Sequence, residues 1–244
     1  MTLVNLKYKR VLLKLSGEVL RADADGVIDA ATMIDIATRM KELQDMEVEL
    51  GVVVGGGNIW RYRDNQAGDG FKFELDRVTS DTMGMLATVM NSLALEGALK
   101  NVGADVRAMS CFPAEKAMET YVPKRALSHM SKGRIVIFAG GTGSPFFTTD
   151  SAAALRALEM KCDVLLKATK VDYVYDKDPV KHGDAKKYLS MQYDEVIEKK
   201  LAVMDLTCAA LLGEGGLPML VFNFNNPTNM RDAVMGKEVG TLIT

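Results

Sequence analysis

The sequence predicts an α/β fold in which helices cover both faces of a mostly parallel sheet. Three observations carry this expectation. Short runs rich in Val, Ile and Leu alternate with amphipathic stretches from end to end, glycines gather where those runs stop, and no shift in composition marks a linker within the 244 residues. Parallel strands need long crossovers, which the intervening helical stretches supply.

Taken in order, Arg10 to Leu15 reads as a buried strand, and Asp29 as the cap of a helix whose apolar face is Met33, Ile34, Ala37, Met40 and Leu43. Glu49 to Val54 is the second strand. A long helical pattern from about Thr79 to Val102 is closed by Gly103, and a strand follows at Asp105 to Met109. Arg134 to Ala139, Asp163 to Ala168 and Met219 to Phe224 are further short strands, separated by helices at Ser151 to Met160 and around Tyr193 to Leu212. Thr241 to Thr244 is expected as a last edge strand. The stretches Arg61 to Arg77 and Lys177 to Lys187 read as long loops or a hairpin, the kind of segment that often covers a site. The methionines, including Met83, Met85 and Met90, fall at helical core spacings and are expected to pack.

Composition excludes several classes of function. With 30 Lys+Arg against 32 Asp+Glu the net charge is −2, and a pI near 5.8 argues against a chain-wide electrostatic grip on nucleic acid or anionic lipid. Cys111, Cys162 and Cys208 lie far apart with no C-x-x-C pair, so neither a disulfide framework nor a zinc site is expected, and a reducing cytoplasm fits best. His129 and His182 stand in Lys-rich surroundings and are expected to face solvent, which disfavours a His-based triad. Arg10 and Lys14 interrupt the first apolar run, so no signal peptide and no membrane-spanning segment is expected.

The glycine clusters are the sharper signal. Lys14-Leu15-Ser16-Gly17, Gly55-Gly56-Gly57-Asn58 and Gly140-Gly141-Thr142-Gly143-Ser144-Pro145 each end a strand. Ligands of open α/β sheets sit beyond the carboxyl ends of strands, where backbone N–H groups approach phosphates. Three such loops on one edge point to a polyphosphate site, although any one of them also serves simply to end a strand. There is no G-x-x-x-x-G-K-[ST] motif, and Trp60 and Phe146 occupy the third-glycine positions of the two G-x-G matches, against a Rossmann dinucleotide site. Lys14 interrupts Val11, Leu12, Leu13 and Leu15, and an unpaired ammonium is costly to bury there, so it should point into a site unless it snorkels from an edge strand. Asp150 stands at a predicted helix start, where capping is the commoner role of an Asp and need not exclude a second one. Lys167 and Lys170 follow another strand at the same edge. Glycine loops, lysines and acids without a usable His fit phosphoryl transfer, in which positioning and charge neutralisation outweigh a strong base.

The motifs Lys14 to Glu18, Gly55 to Asn58, Asp81 to Thr88, Gly143 to Asp150, Leu166 to Asp172 and Val203 to Leu206 together closely resemble those of the bacterial UMP kinases of the amino acid kinase superfamily. The match runs in order along nearly the whole chain. It implies a three-layer αβα sandwich over residues 1–244, its N-terminal part mainly binding UMP and mediating self-association as a homohexamer, its C-terminal part mainly binding ATP. The implied activity is Mg2+-dependent transfer of the ATP γ-phosphoryl group to UMP in pyrimidine nucleotide biosynthesis. By position, Lys14, Leu15, Ser16, Gly17, Gly57 and Arg61 would face ATP, with Thr169, Tyr175 and Asp178 at the adenosine. UMP would meet Gly56, Asp81 and the loop Thr142, Gly143, Ser144, Pro145, Phe146, Phe147, Thr148 and Thr149. Lys14, Asp150 and Asp205 are the implied catalytic residues, the two acids orienting lysines and hydrated metal, with no protein ligand expected for magnesium. GTP and UTP as effectors follow from the resemblance alone, since residues 22–27 lack the usual effector pattern and Arg61 to Arg77 is longer than usual. Lys14 and Asp150 favour an enzyme over a nucleotide-storage protein, and the P-F-F-T-T-D loop favours a nucleotide acceptor over a carboxylate or carbamate.

Overall fold

The computed structural model describes residues 5–21, 26–61, 75–177, 179, 181–201 and 203–244. In chain order they form β1 (Arg10–Leu15), a short 3-10 helix (Gly17–Leu20), α1 (Ala30–Asp45), β2 (Glu49–Val54), α2 (Arg77–Asn101), β3 (Val106–Ser110) and β4 (Glu119–Thr120). Then come α3 (Pro123–Met130), β5 (Ile135–Ala139), α4 (Thr149–Glu159), β6 (Val164–Thr169), β7 (Val174–Tyr175), β8 (Lys187–Tyr188) and β9 (Ser190–Met191). The last elements are α5 (Tyr193–Glu198), α6 (Leu206–Gly215), β10 (Met219–Asn223), α7 (Asn229–Val234) and β11 (Gly240–Ile243).

Among the described residues nine strands build one sheet in the order β4-β3-β5-β2-β1-β6-β10-β11-β9, and β7 pairs with β8 in a separate antiparallel hairpin. Every pairing in the large sheet is parallel except β10 with β11. Alternation of side chains divides the core into two layers. Val11, Leu13 and Leu15 of β1 pack with Met33, Ile36, Met40 and Leu43 of α1 and Leu95 and Leu99 of α2. On the other face Leu12 packs with Ala153, Ala154 and Ala157 of α4 and Ala209 and Leu212 of α6. Strands buried on both sides read as continuous apolar runs, which is why β1 and β2 are legible in the sequence.

Several expectations are corrected. Asp29 does cap α1, its carboxylate accepting from the Thr32 N–H at 2.7 Å, but Ile36 takes the core position expected of the exposed Ile34. Helix α2 begins two residues early because Asp76 caps it. The single helical stretch expected near 193–212 is two helices, the second started by Asp205. Strand β11 is not an edge, since β9 pairs on its outer side. His129 is largely covered, 3.4 Å from a Glu119 carboxylate oxygen and 3.1 Å from the Arg134 guanidinium, whereas His182 is exposed. Met85 is buried, but Met90 is 56% exposed on α2. The loop expected at Tyr62 to Asp76 and the effector segment lie mostly outside the described residues.

Candidate active site

Register creates the site. Lys14 of β1 lies directly opposite Lys167 of β6 in a parallel pair, so both ammonium groups emerge on one face at the carboxyl end of the sheet. Like charges on neighbouring strands repel, and burial removes the water that would screen them. Asp150 in the first turn of α4 resolves the conflict. Its Oδ1 sits 2.6 Å from Lys14 Nζ and its Oδ2 2.5 Å from Lys167 Nζ, while Lys167 also donates to the Val203 carbonyl. Lys14 is 9% exposed, so its ammonium does not snorkel from an edge.

Burial alone would raise the Asp150 pKa, but the charges of Lys14 and Lys167 outweigh it and hold the carboxyl below its ordinary value. It is therefore ionised wherever the protein is folded near neutrality. Burial, with the like charge of Lys14 added, draws the Lys167 pKa below the usual lysine value against the pull of Asp150. Two lysines against one carboxylate in a largely dry place suit an anionic ligand. The neighbouring Cys208 thiol is pushed up to about 12, by burial first and by the charges of Asp150 and Asp205, which leaves it protonated and unreactive.

The glycine loops close around this triad. A side chain at Gly17 would sit 2.5 Å from Asn58 Oδ1 and 2.6 Å from the Gly55 carbonyl, so the first two loops touch only because Gly17 has none. Gly56 is pressed in the same way against α2, where a Cβ would lie 2.8 Å from the Gly84 carbonyl. Buried Asn91 donates to the Gly55 carbonyl at 2.8 Å and fixes the second loop from below. Arg61 donates to the Gly57 carbonyl at 3.0 Å and pairs with Glu18, bridging the second loop to the 3-10 helix that follows Ser16. Thr148, rather than Asp150, caps α4, its hydroxyl oxygen accepting from the N–H groups of Asp150 and Ser151.

Two cavities flank the triad. The first, about 150 Å3, is lined by Gly56, Asp81, Thr142, Ser144, Phe147, Thr148 and Thr149, and also by Gly57, which the sequence reading placed with ATP. Trp60, Ser80, Gly84, Met85, Thr88 and Gly141 join them, and these six were not assigned to the site. Trp60 was read only as an obstacle to a Rossmann turn; its indole N–H donates to Ser80 Oγ at 2.9 Å and forms the cavity wall. Gly143, Pro145 and Phe146 belong to the same loop but not to the lining. The second cavity, about 610 Å3, is lined by Lys167, Thr169, Tyr175, Val171, Tyr173 and Val203 among others. Asp178 lies outside the described residues. Lys167 lines the larger cavity, and Asp150, which bridges it to Lys14, directly follows Thr149 of the smaller.

Asp205 stands at the start of α6. Its carboxylate caps α6, accepting from the Cys208 N–H at 2.8 Å, and it also accepts the hydroxyls of Thr148 and of Ser151, the latter at 2.8 Å. Its partners are thus hydroxyl and N–H donors. No cluster of three or more His, Cys, Asp or Glu side chains suited to a metal occurs among the described residues, and Asp150 and Asp205 are already committed to other donors. The donor set does not fit a metal held by the protein itself.

Known proteins are similar to this chain along almost its whole length. The sequence pattern of the amino acid kinase family matches residues 9–223. A uridylate kinase of Xanthomonas campestris pv. campestris is 49% identical over 238 residues, which is 98% of this chain and 97% of that protein. The solved UMP kinase of Bacillus anthracis superposes with a TM-score of 0.92 at 38% identity, covering 97% of this chain and 96% of that one. That of Ureaplasma parvum gives 0.90 at 32% identity, over 98% and 100% of the two chains. A uridylate kinase of Archaeoglobus fulgidus is more distant, at 0.73 and 28% identity over 96% and 99%. Matched to the family pattern over residues 9–223 and 49% identical to a uridylate kinase along almost the whole length, this chain belongs to the amino acid kinase family.

Proposed function

We propose that the protein transfers the γ-phosphoryl group of ATP to UMP, giving UDP and ADP. The observation that carries the reading is the Lys14–Asp150–Lys167 triad set between two cavities of unequal size. The larger cavity suits adenosine against Thr169 and Tyr175, with Asp178 assigned to it by resemblance. The smaller suits UMP, with Asp81 accepting from the ribose hydroxyls and Thr142 to Thr149 around the base and phosphate. In the transfer, a UMP phosphate oxygen forms a bond to the γ-phosphorus as the bridging bond to ADP breaks. That nucleophile is already anionic, so no general base is required and the poverty in His is no handicap. Lys14 and Lys167 neutralise charge that grows on the γ-phosphoryl and the leaving oxygen, and their rigid bridge through Asp150 means little reorganisation is needed. The N–H groups of the loops at Ser16, Gly17 and Gly57 and the start of α4 add fixed donors. Magnesium accompanies ATP as part of the substrate, held by phosphate oxygens and water.

The wider assignment rests on supporting observations. Three unpaired thiols suit a reducing cytoplasm, and among the described residues no helix is long and apolar enough to cross a membrane. Val78, Leu86, Met90 and Leu93 are exposed along one side of α2, an unpartnered apolar stripe that supports self-association, as a homohexamer by resemblance. Pyrimidine biosynthesis is the corresponding role, and GTP and UTP remain the effectors to try. Coupled measurement of ADP release with UMP, CMP, AMP and acetylglutamate tests the central reading. Turnover is expected with UMP far above the others, and the absence of UMP-dependent ADP would refute it.

A further inference from the structure

Asp81 is not presented to the smaller cavity as a lone carboxylate. Arg77, one helical turn earlier on α2, places its Nε 2.8 Å from Oδ1 and 2.7 Å from Oδ2, and the Phe146 backbone N–H donates to Oδ2 at 2.8 Å. Phe146 holds a left-handed backbone (φ 72°), unusual for an aromatic residue and sustained only where surrounding contacts impose it. Its ring is mostly exposed, with the Arg77 guanidinium carbon 5.8 Å from the ring centre. Asp81 lines the cavity and Arg77 does not, so the guanidinium supports the carboxylate from behind. Two oxygens offer about four lone-pair directions, and the two protein donors leave acceptor capacity on the cavity side.

We propose that Arg77 is a positioning residue for ribose recognition: it orients Asp81 so that one carboxylate both reads the sugar hydroxyls of the acceptor and pins Phe146 of the acceptor loop. The proposal rests on the assignment of Asp81 to UMP made above. Arg77 touches no substrate. Its charge-assisted contact, fixed at the first position of α2, selects one carboxylate rotamer, and the loop bond through Phe146 then makes sugar recognition and loop shape a single unit. A nucleoside monophosphate lacking a sugar hydroxyl leaves that unit unsatisfied, so discrimination between ribose and deoxyribose acceptors depends on a residue outside the cavity.

Wild type, Arg77→Met, Arg77→Lys and Asp81→Asn are compared with UMP and 2′-deoxy-UMP at saturating ATP, with thermal melts as a check on folding. In Arg77→Met the ratio of kcat/KM for UMP to that for 2′-deoxy-UMP is expected to fall about tenfold toward the Asp81→Asn value. The loss should lie in KM for UMP, with KM for ATP unmoved, and Arg77→Lys should recover part of it. An unchanged ratio in Arg77→Met, or equal losses with both acceptors, overturns the proposal and marks Arg77 as merely structural. A wild type that turns over UMP while Asp81→Asn keeps full ribose discrimination overturns this inference alone. Failure of wild type itself with UMP overturns the functional reading as well.

Discussion

Lys14 shows how one residue identity is explained by chemistry rather than by packing. Val11, Leu12, Leu13 and Leu15 around it in β1 are apolar and buried, and an ammonium in such a run survives only with a counter-charge. Asp150 supplies it and at the same time ties Lys14 to Lys167 across the strand pair. The same bridge leaves Asp150 a weak base, since its pKa is held down, and gives it no proton to donate as an acid near neutrality. The sign for stability follows. A carboxyl with a depressed folded pKa contributes stability above its ordinary value of 3.8 and loses it as pH falls through the folded value. For catalysis the electrostatic role predicts that Lys14→Ala lowers kcat about 10²- to 10³-fold while KM for UMP moves little. Steady-state kinetics with UMP varied at saturating ATP checks this, and parallel losses in kcat and UMP affinity would instead mark a positioning role.

At the level of elements, the site is assembled from helix starts brought together by strand ends. Thr148 caps α4, Asp205 caps α6, and the Asp205 carboxylate accepts the Thr148 hydroxyl, so the two helix N-termini are stapled side by side. The buried Ser151 hydroxyl joins the same carboxylate. Meanwhile the Val203 carbonyl, two residues upstream, holds Lys167. A short stretch before α6 thereby fixes both the lysine of the larger cavity and the loop end of the smaller one. Asp205→Ala removes a cap and orphans the buried Ser151 hydroxyl, which should cost about 1–3 kcal/mol. A thermal melt of the variant should show a midpoint several degrees below wild type, and an unchanged midpoint would refute the staple. The capping residues Asp29 and Asp205 were visible as acids ahead of apolar periodicity, but only Asp29 was read as a cap. Asp205 was assigned by resemblance to lysines and metal, because the hydroxyl donors it meets stand more than fifty positions away in the chain.

The whole molecule explains how a nearly neutral chain holds anionic ligands. Strand β1 lies in the interior of the sheet with β2 and β6 on its two sides, and the chain leaves it in opposite directions, so the loops after β1, β2, β5 and β6 meet at one edge. Positive charge is thereby concentrated at Lys14 and Lys167 while the net charge stays at −2. On the outer side of α2 the exposed Val78, Leu86, Met90 and Leu93 fall within about 120° of one another around the helix. Met90 was expected in the core because a helix with apolar residues on two sides gives no sign of which side the sheet takes. Met90→Glu should shift the protein to a smaller species in light scattering coupled to size exclusion, with the melting transition of the remaining species retained. No change in mass would show that this face is not an interface.

By itself the sequence determined the parallel α/β class, the bounds of β1 and β2, the glycine loops and the identity of Lys14 as an out-of-place charge, since each depends on local periodicity or on a residue type that local packing cannot explain. Tertiary structure alone decided what those charges do. That Lys14 faces Lys167 is a matter of strand register, that Asp150 lies between them depends on how α4 docks, and that Asp81 is shared by Arg77 and Phe146 depends on a loop 65 positions away. These are contacts of high sequence separation between groups that leave no periodic trace. They exist only once the buried layers on both faces of the sheet have set the spacing between its strands and helices.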